Sequence, residues 1–161
     1  MKKVFLLAVT CIGFTLAATA QDISDNAIGL RLGDSGGFGA EVSYQRALGG
    51  NNRLEIDLGL RSGNDYDGFK LAGIYQWVWN IEGGFNWYAG AGGGLGSYSY
   101  DDRGPGNDDN ETFVFVAGDI GIEYNFDFPL QLSLDARPEL GFGDYRDDLD
   151  FDIALGVRYR F

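Results

Sequence analysis

Histidine is absent from all 161 residues, and the chain has one cysteine and three prolines. Without histidine, Ser–His–Asp and Cys–His catalysis and every His-based metal site are excluded. One cysteine closes no internal disulfide and builds no thiolate cluster. Basic side chains are scarce too: 12 Lys and Arg stand against 24 Asp and Glu, a formal charge of −12. Such a chain lacks the basic face that displaces counterions from phosphates, so nucleic acid is not its partner. What the chain does have is 26 glycines, 15% aromatics and 45% hydrophobic residues. That is too apolar for a disordered acidic polymer, and the length suits one domain.

The first twenty residues read as an address. Lys2 and Lys3 form a positive n-region, Val4 to Leu16 is an apolar stretch, and Ala18-Thr19-Ala20 supplies small residues at the positions a signal peptidase reads. This is the pattern of a cleaved secretory signal. The apolar run is shorter than the ~20 residues a spanning helix needs. Cys11 sits behind a loose lipobox (Leu7-Ala8-Val9-Thr10), but threonine precedes it and the h-region would be very short, so it reads as an apolar residue of the signal. Cleavage after Ala20 removes Lys2, Lys3 and Cys11. It leaves 141 residues (21–161) without cysteine, with a net charge of −14.

No helical apolar stripe follows. Period-two alternation recurs instead, the mark of strands with two different faces. It is clearest at the C-terminus, where Phe151, Ile153, Leu155, Val157, Tyr159 and Phe161 oppose Asp152, Ala154, Gly156, Arg158 and Arg160. Asn52 to Ser62 repeats it, with Leu54, Ile56, Leu58 and Leu60 on one side. Six more segments lie at Ile28–Leu32, Phe38–Gln45, Phe69–Trp77, Trp87–Gly96, Val114–Phe126 and Leu130–Arg137. Ile74 breaks the alternation of its segment, and Gly90, Gly92, Gly94 and Gly96 form a glycine row opposite Trp87 and Leu95. Three connections are short (Ala47–Asn51, Asn80–Gly84, Asp127–Pro129). The other four, Gly33–Gly37, Ser62–Asp67, Asp101–Glu111 and Gly141–Asp150, include the two longest and carry most of the loop aspartates. Pro138 cannot donate to a ladder, so the seventh strand is expected to end or bulge near Ala136.

In a soluble sandwich the apolar face points inward and charges face water. Here the opposite face carries seven cations, Arg31, Arg53, Arg61, Lys70, Arg137, Arg158 and Arg160. Against them stand eight carboxylates, Glu41, Glu55, Asp57, Asp119, Glu123, Asp135, Glu139 and Asp152. Their near balance suits groups that pair across a narrow lumen, with Arg137 neutralising a carboxylate such as Asp135 or Glu123. The glycine row would make room for bulky partners such as Arg53 or Arg137. Ten aromatics, among them Tyr44, Trp77, Trp87, Tyr124, Tyr159 and Phe161, cluster at the short-turn end. Phe38, Phe69, Tyr98, Phe113, Phe142 and Phe151 lie at the long-loop end. Two aromatic girdles a strand length apart match a barrel that crosses a membrane. In hydrocarbon every backbone polar group must be paired, so strands span only as a closed barrel. The expected fold is therefore an all-β, eight-stranded antiparallel up-and-down transmembrane β-barrel, its interior filled by side chains.

With these features the chain resembles the small eight-stranded outer-membrane barrels of the OmpA/OmpX type. The likeness covers about the whole mature chain and rests on the signal, the eight segments and the ending Leu155-Gly156-Val157-Arg158-Tyr159-Arg160-Phe161. The resemblance implies that Val157, Tyr159 and Phe161 form the C-terminal signal read by the outer-membrane assembly machinery. It also implies passage with periplasmic chaperones, residence in the outer membrane of a Gram-negative-type bacterium, contact with membrane lipid and lipopolysaccharide, and a monomeric state. Unlike in the longer family members, no appended periplasmic domain is expected after Phe161. The barrel lipases, omptin proteases and lipid A deacylases on similar scaffolds use histidine, so no enzyme and no cofactor is expected.

The leading functional reading is a structural or surface-interaction protein acting through acidic outer loops, with a small channel or carrier as the alternative. Asp101, Asp102, Asp108, Asp109 and Glu111 offer the oxygen donors of a Ca²⁺ loop. Their spacing departs from the EF-hand pattern, so a solvated acidic loop is the simpler reading. An adjacent carboxylate cluster, Asp147, Asp148 and Asp150, is read the same way.

Overall fold

The computed structural model describes residues 23–33, 39–62, 66–101, 108–142 and 149–161, so the signal segment 1–20 lies outside the described residues. Eight strands follow one another: β1 (Asn26–Leu32), β2 (Ala40–Gly49), β3 (Asn52–Ser62), β4 (Tyr66–Glu82), β5 (Phe85–Asp101), β6 (Asp108–Asn125), β7 (Leu130–Phe142) and β8 (Leu149–Arg160). Each pairs antiparallel with its sequence neighbours, and β1 closes on β8. The fold is the expected closed eight-stranded barrel.

The register defines its geometry. A circuit from Arg160 passes Ala27, Gln45, Glu55, Ile74, Gly92, Ala117 and Glu139 and returns to β8 at Asp150, ten residues from its start. Eight strands with a stagger of ten tilt by roughly 40° and close at a radius of about 8 Å, too narrow for an open bore once side chains are added.

Period-two alternation sorts the side chains. Outward positions are apolar and open: Val116 is 52% exposed, Ile120 55% and Ile153 65%. Inward positions hold the buried charges. The polarity is the inverse of a water-soluble core, which suits hydrocarbon outside and polar groups inside.

Strand ends depart from the sequence reading. The stretch Asp101–Glu111, read as a loop, is ladder at both of its ends, because β5 runs through Asp101 and β6 begins at Asp108; residues 102–107 lie outside the described residues. Backbone pairing continues past the apolar stripe because a hairpin outside the apolar zone needs no apolar side chains. Nor does β7 end or bulge at Ala136. It continues to Phe142, and Ala117↔Glu139 and Ile120↔Ala136 keep the same register on either side of Pro138. The ladder lapses at Pro138, which lacks an N–H, and at the neighbouring Arg137; opposite the proline stands Gly118, whose missing side chain leaves room for the ring.

Short connections bound one end. Gly50 (φ 61°) and Gly83 (φ 54°) hold left-handed conformations that L side chains rarely adopt. Asn80 Nδ2 donates to the Gly83 and Phe85 carbonyls at 2.9 and 3.1 Å and fastens the β4–β5 turn.

Candidate functional site: the charged lumen

Inward alternation places Arg31 on β1, Arg53 on β3, Lys70 on β4, Arg137 on β7 and Arg158 on β8, all buried. Arg137, 0% exposed, lies four strands from β3 in a ring of eight. It spans the lumen to donate to Glu55 Oε1 and Asp57 Oδ2, both at 2.8 Å. Arg158 reaches the other oxygen of Glu55 at 3.0 Å and the hydroxyls of Ser43 and Ser133. Arg31 gathers Glu41, Asp135 and Asp152. Lys70 pairs with Glu139 at 2.7 Å, and Arg53 with Glu123 at 2.6 Å.

These bridges run as chords across the barrel: β3 to β6, β3 to β7, β3 to β8, β4 to β7 and β1 to β7. Desolvating so many charges is tolerable only with good geometry and further hydrogen bonds. Amides supply them. Gln45 donates to Glu55, Gln76 to Asp119 and Asn86 to Glu123, while Gln76 accepts from Arg53.

The predicted network is brought together in part. Arg31, Glu41, Arg53, Glu55, Asp57, Asp119, Glu123, Asp135, Arg137 and Arg158 all lie in the buried lumen. Arg61 and Arg160 do not: each is half-buried toward a barrel end. Arg160 donates to the Phe126 and Phe128 carbonyls and pairs with no carboxylate among the described residues, because its position at the last step of β8 lies beyond the charged layers. The inner charges are thus less balanced than the sequence suggested, five cations against eight carboxylates among the described buried residues. The expected partners of Arg137 are corrected as well, because Asp135 belongs to Arg31 and Glu123 to Arg53. Strand stagger, which the sequence does not display, brings Glu55 and Asp57 across instead.

The glycine row faces the lumen, but no arginine fills it. Side chains built on Gly94 and Gly96 would strike the rings of Phe115 and Phe113, and one on Gly90 would meet Gln76 and Ile74. Ile74, Phe113 and Phe115 form a buried apolar cluster with Ala72 and Ala117, against which Tyr98 packs. Phe113 and Tyr98 therefore leave the predicted loop-end girdle for the interior, whereas Phe69, Phe142 and Phe151 are exposed as expected. Phe38 lies outside the described residues. The break at Ile74 has the same cause: an inward isoleucine meets a wall of glycine.

Sequence reasoning missed Tyr88, which is fully buried with the Arg53 guanidinium 4.8 Å from its ring centroid, and the amides that complete the network. All share the inward parity of the charges. That parity was the available signal, obscured by attention to charge alone.

The turn-end girdle is continuous over β4 to β6. Trp79 and Trp87 stack at 4.3 Å, and Phe85, Tyr124, Phe126 and Phe128 form successive contacts of 4.6, 4.7 and 5.1 Å. Val157, Tyr159 and Phe161 face outward and are exposed, with Tyr159 and Phe161 stacked at 6.3 Å.

Of the candidate metal donors, Asp101, Asp108, Asp109 and Glu111 have backbones in β5 and β6, while Asp102 lies outside the described residues. Among the described residues no cluster of acidic side chains has metal-holding geometry.

A closed eight-stranded barrel with an apolar exterior and an ion-paired interior defines the class: a transmembrane-type β-barrel with a filled lumen. Solved structures of the same fold bear this out. Neisserial surface protein A matches with a TM-score of 0.61 at 16% identity, over 86% of this chain and 94% of that one. The attachment invasion locus protein Ail of Yersinia pestis gives 0.56 at 20% identity, over 86% and 97%. A de novo designed transmembrane β-barrel gives 0.52 at 14% identity, over 89% and 100%. The likeness to the small outer-membrane barrels thus holds at the level of fold. No family model and no curated protein sequence matches the chain.

Proposed function

We propose that this chain is a non-enzymatic outer-membrane barrel whose work is done by its acidic outer loops at the cell surface, and that its lumen conducts no solute. The observation that carries this reading is the set of cross-lumen bridges, above all Arg137 to Glu55 and Asp57. A passing solute would have to break several buried pairs at once, each costing about 3–5 kcal/mol when one partner is lost. Two fold neighbours are by name a surface protein and an attachment protein, which agrees with a surface role.

The signal segment and the outward Val157, Tyr159 and Phe161 support export and recognition by the assembly machinery. The exposed apolar belt supports contact with membrane lipid and lipopolysaccharide as a monomer. Planar-bilayer recording tests the closed lumen. The purified barrel should insert without stable unitary current steps, and reproducible steps would favour the small channel or carrier instead.

A further inference from the structure

The turn end of the lumen carries a residue that the charge network leaves unused. Arg160 is the last inward-facing position of β8 and is held at several points. Its guanidinium donates to the Phe126 carbonyl at 2.5 Å and the Phe128 carbonyl at 3.3 Å, both at the β6–β7 turn. Its other terminal nitrogen reaches Ser24 Oγ at 3.5 Å, and its backbone N–H donates to Pro129 O at 3.1 Å. Beside it, Asn26 and Phe161 exchange backbone bonds of 3.1 and 2.9 Å at the end of the β1–β8 seam, whose register has six residue pairs.

Two hollows open here, of about 410 and 370 Å³. The first is walled by Ser24, Asp25, Pro129 and Phe161, the second by Asn80, Gly84, Asn86 and Asn125; Asp127 and Arg160 belong to both. The second hollow borders the charge network, since Asn86 in its wall donates to Glu123, the partner of Arg53. Gln131 pairs with Arg158 and therefore sits one inward-facing step inside Arg160. It is buried.

We propose that Arg160 is a clasp that shuts the turn end of the lumen: by gripping the β6–β7 turn it holds that turn against the β1–β8 seam and keeps the two hollows apart. Removing the guanidinium frees two turn carbonyls and Ser24 together, so that the hollows merge and the mouth opens toward Gln131. The device is distinct from the central bridges, which block the middle of the lumen.

Cys11 is the chain's only cysteine, so Gln131→Cys combined with Cys11→Ser creates a single thiol just inside the clasp. Its rate of modification by a charged maleimide is measured on the folded barrel in detergent micelles, with heat-modifiable gel mobility confirming the fold. With Arg160 present the thiol should react slowly. Arg160→Ala should accelerate labelling by about tenfold or more, and Arg160→Lys, which keeps a charged donor, by less, since local opening sets the rate. Should Arg160→Ala not fold, Arg160→Gln is read in the same way. Equal rates in the folded barrels with and without the guanidinium, or fast labelling with Arg160 in place, would overturn the proposal.

Discussion

Arg137 and Gly94 show two ways in which one inward position holds the lumen. Arg137 donates charge-assisted hydrogen bonds to both Glu55 and Asp57 from the far wall. Arg137→Ala leaves buried Asp57 without that cation beside Glu55, which keeps Arg158, so the barrel should lose about 3–5 kcal/mol in urea titrations in micelles. Gly94 acts by having no side chain, since a Cβ there would meet the Leu71 carbonyl and the Phe115 ring. Gly94→Leu should therefore cost roughly 1–3 kcal/mol by overpacking. Phe115→Ala in the same chain should recover part of that loss, and the double-mutant cycle measures the coupling. The residue types at both positions were legible in the sequence, but their partners were not. Stagger pairs Arg137 with β3 and gives the glycine row to Phe113 and Phe115.

Among the elements, the β4–β5 hairpin tests turn chemistry. Gly83 holds a positive φ between two 17-residue strands, with the Asn80 amide on its carbonyl. Gly83→Ala should cost about 1–2 kcal/mol through left-handed backbone strain, seen as a lower midpoint of heat-modifiable mobility. Strand existence was legible because alternation is a property of consecutive residues. Strand length was less so. The apolar stripe stops where the membrane-facing zone stops, while β5 and β6 keep pairing to Asp101 and Asp108. Pro138 misled for a related reason. A missing N–H removes one ladder bond, and that forces a break only if the neighbours cannot hold the register, which here continues on both sides.

At the scale of the whole molecule the question is which solvent meets the apolar face. Ile120 is outward and 55% exposed. In a water-soluble barrel, arginine there would be harmless. Near the middle of a hydrocarbon belt Ile120→Arg should cost about 2–4 kcal/mol. Folding yield into lipid vesicles, compared with the parent chain, distinguishes the two, and an unchanged yield would count against a lipid-facing β6.

The sequence by itself determined the strand count, the two faces of each strand, the inversion of polarity and the exclusion of histidine chemistry. All of these follow from composition and from a period of two along the chain. Only the tertiary structure decided which charges meet, that Arg160 leaves the network for the turn carbonyls, and that two phenylalanines occupy the glycine wall. These depend on a stagger of ten residues accumulated over eight registers, and no local pattern encodes that sum.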